Sequence, residues 1–335
     1  MDSVTQLALG AAVGEASMGR QVGNRAILWG AALGTLPDLD VFIPLGGAVE
    51  DFTYHRSFSH SLLVLALLAP LVVWLILKLH PRTREYRNRW ALMVYLVFAT
   101  HVLLDSFTVY GTQIFWPLIT TPQSWSTLFI IDPAYTLPLI VGVMAALVMS
   151  RQRHRGHLLN SAGLALSTLY LAWSLGAKLY VESVARDSLA RQGVEYQRLL
   201  STPAPFTTLL WRFVAMGEEG YFEGYYSFLD GHDGVTGQRF DSRVDLLDSL
   251  AEHWPVQRLQ WFTHGFYKVS QEREAVVMSD LRMGLEGDYV FRFQVAELNN
   301  PHPTPITARR MQDGPRNTGR LSRVWKRLWD HTVAP

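Results

Sequence analysis

The chain has 335 residues, 49% of them hydrophobic and 18% charged, with a formal net charge of +1. That balance excludes a nucleic-acid binder whose affinity rests on bulk positive charge. Cysteine is absent, which excludes disulfides and thiolate metal sites and leaves His, carboxylate, backbone or water as metal ligands.

The opening Met1-Asp2-Ser3-Val4 lacks the basic region of a secretory signal and reads as retained. Val4 to Met18 and Ala26 to Leu36 are short, Ala- and Gly-rich apolar stretches. Small residues let helices approach closely, so both read as tightly packed short membrane helices, with a soluble helical hairpin as the alternative. Gly19 to Arg25 turns between them, and Pro37 ends the second. Ser61 to Leu77, Trp90 to Leu104, Pro133 to Met149 and Leu158 to Ala177 are stronger membrane candidates.

Lys78, Arg82, Arg84, Arg87 and Arg89 crowd one loop, and Arg151, Arg153 and Arg155 another; Ser106 to Thr127 carries no charge. The positive-inside rule places the basic loops, with Arg20 and Arg25, in the cytoplasm. The loop from Asp38 to His60 and everything after Tyr180 then lie outside.

After Tyr180 the pattern changes to strand-like segments at Leu209 to Ala215, Tyr221 to Phe228, Leu259 to Val269, Ala275 to Leu281 and Tyr289 to Ala296, with Ser242 to His253 a short helix. From Thr307 the tail is basic, with Arg309, Arg310, Arg316, Arg320, Arg323, Lys326 and Arg327. Leu321, Val324, Trp325 and Leu328 line one side of a helix suited to anionic lipid, unless the tail is disordered. The expected fold is thus an α-helical multi-pass membrane bundle of about six membrane helices, the first two short, followed by a small extracytoplasmic α+β domain with an antiparallel sheet. Residues 1–180 form the membrane domain, 181–306 the β-rich domain and 307–335 the tail.

Four clusters carry candidate chemistry. Asp38 and Asp40 in Pro37-Asp38-Leu39-Asp40 share a face if the backbone is extended, or belong to an ordinary Pro-Asp turn. His55 and His60 flank Arg56, which suits an anionic oxygen; the alternative is interfacial histidines. His101 and Asp105 stand i, i+4 on one helix face, a spacing that supplies two ligands to one metal, or two groups to an ion path. Asp132 before Pro133 either caps a helix or works at the site. The charge-derived topology gathers all of these near the outer face.

These motifs resemble a known family. Gly34-Thr35-Leu36-Pro37-Asp38-Leu39-Asp40, Tyr54-His55-Arg56-Ser57-Phe58-Ser59-His60-Ser61, Thr100-His101-Val102-Leu103-Leu104-Asp105 and the opening Met1 to Gln6 are similar to the DUF457 (YdjM-like) family of membrane-bound metal-dependent hydrolases. The family pattern carries a His where this chain has Gln6, so no ligand is carried over there. The His-x-x-x-Asp element is also similar to that of zinc-dependent phospholipase C and S1-type nucleases. The resemblance implies a hydrolase in the bacterial cytoplasmic (inner) membrane, with one or two divalent ions, zinc for preference. Its metal ligands would be Asp38, Asp40, His55, His60, His101 and Asp105. Arg56 would hold the substrate anion and Asp132 would orient or deprotonate water. The expected substrate is a phosphoester of a membrane lipid or lipid-linked molecule. A transporter of ions or protons, or a non-catalytic scaffold with a structural metal site, would use the same residues.

Overall fold

The computed structural model describes residues 1–149, 153–231, 234–299, 302–311 and 318–333. Arg151 and Arg316 lie outside the described residues. The chain divides into two compact units: Met1–Ile43 with His55–Leu175, and Pro44–Tyr54 with Gly176–Pro335.

The first unit opens with α1 (Ser3–Val22), whose N-terminal amides of Val4 and Thr5 are capped by Asp2. Gly23, at φ 63°, turns the chain into α2 (Asn24–Thr35). The two helices run antiparallel at a separation only glycine permits. A Cβ on Gly30 would stand 2.1 Å from the carbonyl oxygen of Gly10, and one on Gly10 would stand 2.2 Å from that of Gly30. Gly14 and Gly34 extend the same seam, which is how the Gly-x-x-x-Gly spacing in both helices acts. A 3₁₀ turn, Pro37–Phe42, follows. The chain then leaves for the second unit, forming α3 (Ala48–Tyr54), and returns at His55.

Four further helices complete the first unit: α4 (Leu62–Leu79), α5 (Arg87–Ser106), α6 (Pro133–Val148) and the beginning of α7 (Arg153–Arg191). Trp90, Met93, Phe98, Ile76, Leu139 and Met18 are buried at its core.

The expectation of about six membrane helices is corrected. Two helices among the described residues are long and apolar enough to cross a membrane, Leu62–Leu79 and His154–Arg191. Their most apolar windows are 28% and 22% buried within the protein, so most of each window is left uncovered. The other segments fall short for separate reasons. α2 has 12 residues and α6 has 16, below the ~20 that a span needs. α1 carries Glu15 and Arg20 and buries itself on its neighbours. α5, which contains the Trp90 to Leu104 stretch, opens on Arg87 and Arg89 and ends in His101 and Asp105.

The second unit holds two four-stranded antiparallel sheets. One has the order β1 (Arg198–Pro203), β2 (Leu210–Met216), β3 (Gly220–Ser227), β4 (Thr236–Asp241). The other combines β5 (Tyr267–Glu272) and β6 (Ala275–Asp280) with two later strands, in the order β10-β9-β6-β5. Between these come the short ribbon β7 (Gly284–Leu285) and β8 (Asp288–Tyr289); β9 is Arg292–Asn299 and β10 is His302–Arg310. Leu259 to Val269, read from the sequence as one strand, is instead the end of α8 (Trp254–Phe262) and the start of β5. Pro255 at the first turn favours the helix start. Ser242 to His253 is a 3₁₀ segment, Val244–Leu250.

Phe52 of α3 packs at 4.4–5.2 Å between ring centroids against Phe262, Phe291 and Phe293, and Arg258 donates to Thr53 Oγ1 at 2.9 Å. In the basic tail, α9 (Thr318–Arg327) buries Val324, and Leu328 just beyond it, with Ala204, Leu210 and Tyr225. Arg327, wholly buried, pairs with Asp230 at 2.6 and 2.7 Å.

Candidate metal centre

Three elements of the first unit bring four polar side chains to one point. Asp38 comes from the 3₁₀ turn after α2, His60 from the short turn before α4, and His101 and Asp105 from the last turns of α5. One ligand atom from each lies within 4.8 Å of those of the others. His60 Nε2 is 3.3 Å from Asp38 Oδ1, 3.1 Å from Asp105 Oδ2 and 3.2 Å from His101 Nε2. The i, i+4 spacing puts His101 Nε2 3.5 Å from Asp105 Oδ2.

The second nitrogen of each ring fixes the first. His101 Nδ1 donates to the Gly34 carbonyl at 2.7 Å, which leaves Nε2 as the acceptor nitrogen of a neutral ring. Ser59 Oγ gives its one proton to Asp40 Oδ2 at 2.5 Å and therefore accepts from His60 Nδ1 at 2.9 Å. Two lone pairs thus face each other at 3.2 Å beside two carboxylates. Such an arrangement needs a cation between them, whether a proton or a metal. Asp105 Oδ2 is buried and accepts no hydrogen bond, as a ligand atom awaiting an ion would be. The N₂O₂ donor set suits zinc.

Electrostatics agree. Burial works against a charged His60, yet the close carboxylates of Asp105 and Asp38 overcome it and raise its pKa above the ordinary histidine value. Asp38 is desolvated too, but its contacts with His101 and His60 hold it well below the usual carboxylate range.

Asp40 and His55 stand outside this four-residue group. The reading of Asp38 and Asp40 as same-face ligands on extended backbone is corrected: the segment is a 3₁₀ turn. At about three residues per turn, side chains two apart diverge by about 120°. Asp38 turns to His60, while Asp40 turns to His55, Arg56 and Ser59. His55 Nδ1 donates to Asp40 Oδ1 at 2.9 Å, and the Arg56 amide donates to Oδ2 at 3.1 Å. Burial alone would push the Asp40 carboxyl up, but the hydrogen bond and charge of His55 more than reverse this, and it is pulled down to about 2. Asp40 is the hub behind the histidines. Replacing Ser59 by Ala is expected to release the His60 ring and weaken zinc binding about 10- to 100-fold, as measured by competition with a chromophoric chelator.

Arg56 is 3% exposed, and its guanidinium is directed to Asp105 Oδ1 at 3.3 Å. Asp132 caps α6 through the amides of Ala134 and Tyr135 and accepts from Tyr170 Oη at 3.0 Å. No hydrogen bond or ion pair joins it to the cluster among the described residues. Burial pushes the Asp132 carboxyl above its ordinary range despite those donors.

Sequence reasoning did not find Ser59 or the Gly34 carbonyl, and it marked Gln6 only as a place where the family pattern carries a His; Gln6 Nε2 donates to Asp105 Oδ1 at 3.0 Å. Gln6, an amide in an apolar helix, was the one visible signal among them.

No curated protein and no solved structure matches the chain. A family model, YdjM inner membrane protein, matches residues 1–181. That stretch contains every member of the cluster and more than half of the 335 residues. The chain belongs to the YdjM inner membrane protein family.

Proposed function

We propose that this inner membrane protein is a metal-dependent hydrolase acting on a phosphoester of a lipid or lipid-linked molecule at the outer face of the membrane. The observation that carries the metal centre is the convergence of two bare imidazole nitrogens and two carboxylates, with His60, His101 and Asp105 all buried. Membrane residence motivates the substrate class. The basic residues that follow α4, together with Arg155 early in α7, support an orientation with those ends cytoplasmic. His60 and the chain after α7 are then extracytoplasmic, and α4 and α7 cross in opposite directions.

In this reading Asp38, His60, His101 and Asp105 hold the ion. When bound, a divalent ion supplies Lewis acidity and a nucleophile at neutral pH. Asp40 holds the rings of His55 and, through Ser59, His60. His55 is the partly exposed member of the set, with a side chain 21% exposed. With Nδ1 committed to Asp40, its Nε2 is free to accept a proton beside the cluster. Asp38, 18% exposed at its side chain, is the ligand on the side open to a substrate.

A non-catalytic scaffold with a structural metal site is the second reading, and burial favours it. Four protein ligands complete a tetrahedron, which is the closed arrangement of structural zinc. Purified protein with bound zinc, assayed on phospholipid, polyprenyl phosphate and nucleotide esters with and without chelator, separates the two. Chelator-sensitive turnover that is lost in His55→Ala with zinc retained supports the hydrolase; zinc without turnover on any ester leaves the scaffold.

Metal affinity is expected to depend on pH through His60. Its raised pKa means that a proton competes with the metal for the site at a higher pH than it would for an ordinary histidine. Affinity should be constant above that pKa and fall about tenfold per pH unit below it. A zinc titration between pH 5 and pH 9, read by calorimetry, checks the direction; affinity that rises on acidification would contradict it.

A further inference from the structure

The two oxygens of Asp105 live in different surroundings. Oδ2 faces His60 Nε2 at 3.1 Å and His101 Nε2 at 3.5 Å and accepts no hydrogen bond. Oδ1 accepts from Gln6 Nε2 at 3.0 Å, lies 3.3 Å from Arg56 Nη2, and contacts the α-amino group of Met1. In a two-metal centre, a shared carboxylate offers one oxygen to each ion, and the ions stand about 3.5–4 Å apart. Here the side of Asp105 that would face a second ion is already occupied by fixed positive charge.

That charge is held firmly. Arg56 adopts φ 61°, a left-handed conformation uncommon for a long side chain. Its amide is tied to Asp40 Oδ2 at 3.1 Å, and its carbonyl accepts from the Gln113 amide at 3.0 Å. Its Nη1 donates to Thr108 Oγ1 at 3.3 Å, and the guanidinium lies 5.2 Å from the centre of the Tyr110 ring. Both the backbone and the head group are therefore fixed before any ligand arrives, and almost none of the side chain is left to meet a substrate.

We infer that the centre is mononuclear, and that Arg56 is its permanent second cation: a positioning residue that neutralises Asp105 Oδ1 and leaves only Oδ2 for a metal. This rests on the metal-centre reading above. It gives Arg56 a role different from contact with a substrate anion, and it fixes the number of ions at one. The guanidinium also repels any second divalent ion approaching Oδ1, and lowers the affinity for the first.

The full chain in detergent, stripped by chelator and titrated with Zn²⁺ and separately with Co²⁺, tests the inference. One equivalent per chain is expected, with the electron paramagnetic resonance signal of an isolated high-spin cobalt ion. Two equivalents, or a spin-coupled pair, would overturn the mononuclear inference and leave the metal centre standing. No bound metal would overturn both. Arg56→Gln removes a cation 3.3 Å from the ligand carboxylate, so it should bind the first ion at least about tenfold more tightly or admit a second equivalent. Arg56→Lys, which keeps the charge, should stay close to the wild-type affinity and stoichiometry. Unchanged or weaker binding in a folded Arg56→Gln protein would overturn the role given to Arg56. Should that variant fail to fold, the wild-type stoichiometry and cobalt signal still decide the count.

Discussion

Alanine at His60 or His101 is expected to reduce the zinc content of the purified protein from about one ion per chain to near zero, and to abolish chelator-sensitive turnover. Each ring supplies a bare Nε2 to the same point, 3.2 Å from the other. A direct ligand contributes more than the roughly 10–100-fold that a supporting partner contributes. The loss should therefore exceed that of Ser59→Ala, and elemental analysis of the three variants side by side gives the order. Near-zero zinc in the wild type and in both variants alike would remove the metal from the account. Thermal unfolding without metal offers an internal control. Each Ala variant leaves two carboxylates with one imidazole fewer between them, so both should melt below the wild-type apoprotein. Added zinc should raise the melting temperature of the wild type alone, because an ion stabilises only the fold that binds it.

Valine at Gly30 should be the most damaging single change away from the cluster. Its Cβ would fall 2.1 Å from the Gly10 carbonyl oxygen, and no rotamer relieves a collision with backbone. The penalty should exceed the ~1–3 kcal/mol typical of overpacking, because α1 and α2 must separate along their whole seam. The damage reaches the cluster through two hydrogen bonds: α1 carries Gln6, which holds Asp105, and α2 carries the Gly34 carbonyl, which holds His101. Loss of zinc together with a lowered melting temperature is expected. Gly176→Ala is the control, since nothing lies within 4 Å of a Cβ there; it should be neutral or stabilise by about 0.5–1 kcal/mol. Equal melting temperatures for Gly30→Val and wild type would show that the seam is not needed.

The sequence disclosed the ionisable residues better than it disclosed the helices. His101 and Asp105 were legible because one helical period relates them, and the structure puts them 3.5 Å apart. Asp38 and Asp40 were legible as residue types but not as a geometry. Whether they share a face depends on an extended or a 3₁₀ backbone, and Pro37 is compatible with both. The close packing of α1 on α2 followed from Gly and Ala spacing. Membrane spans were over-read because apolar content alone does not separate a helix buried by its neighbours, such as α1, from one like α4 that leaves its apolar face bare. In the second unit, Leu259 to Val269 mixes aromatic and β-branched residues across a helix end and a strand start, so composition averaged over the break. Carbonyl groups such as that of Gly34 leave no trace in the identity of a residue.

The excursion of residues 44–54 sets an order of events during synthesis. Asp38 and His60 lie on either side of it, and its Phe52 finds its ring partners at Phe262, Phe291 and Phe293. Those partners leave the ribosome some two hundred residues after Phe52 does. Until then Phe52 lacks these ring partners. The two ends of the excursion do not wait for them, because Asp40 is joined to His55, to the Arg56 amide and to Ser59 within the first unit. A nascent chain halted after the match to the family ends, at residue 181, would carry every ligand and none of the ring partners of Phe52.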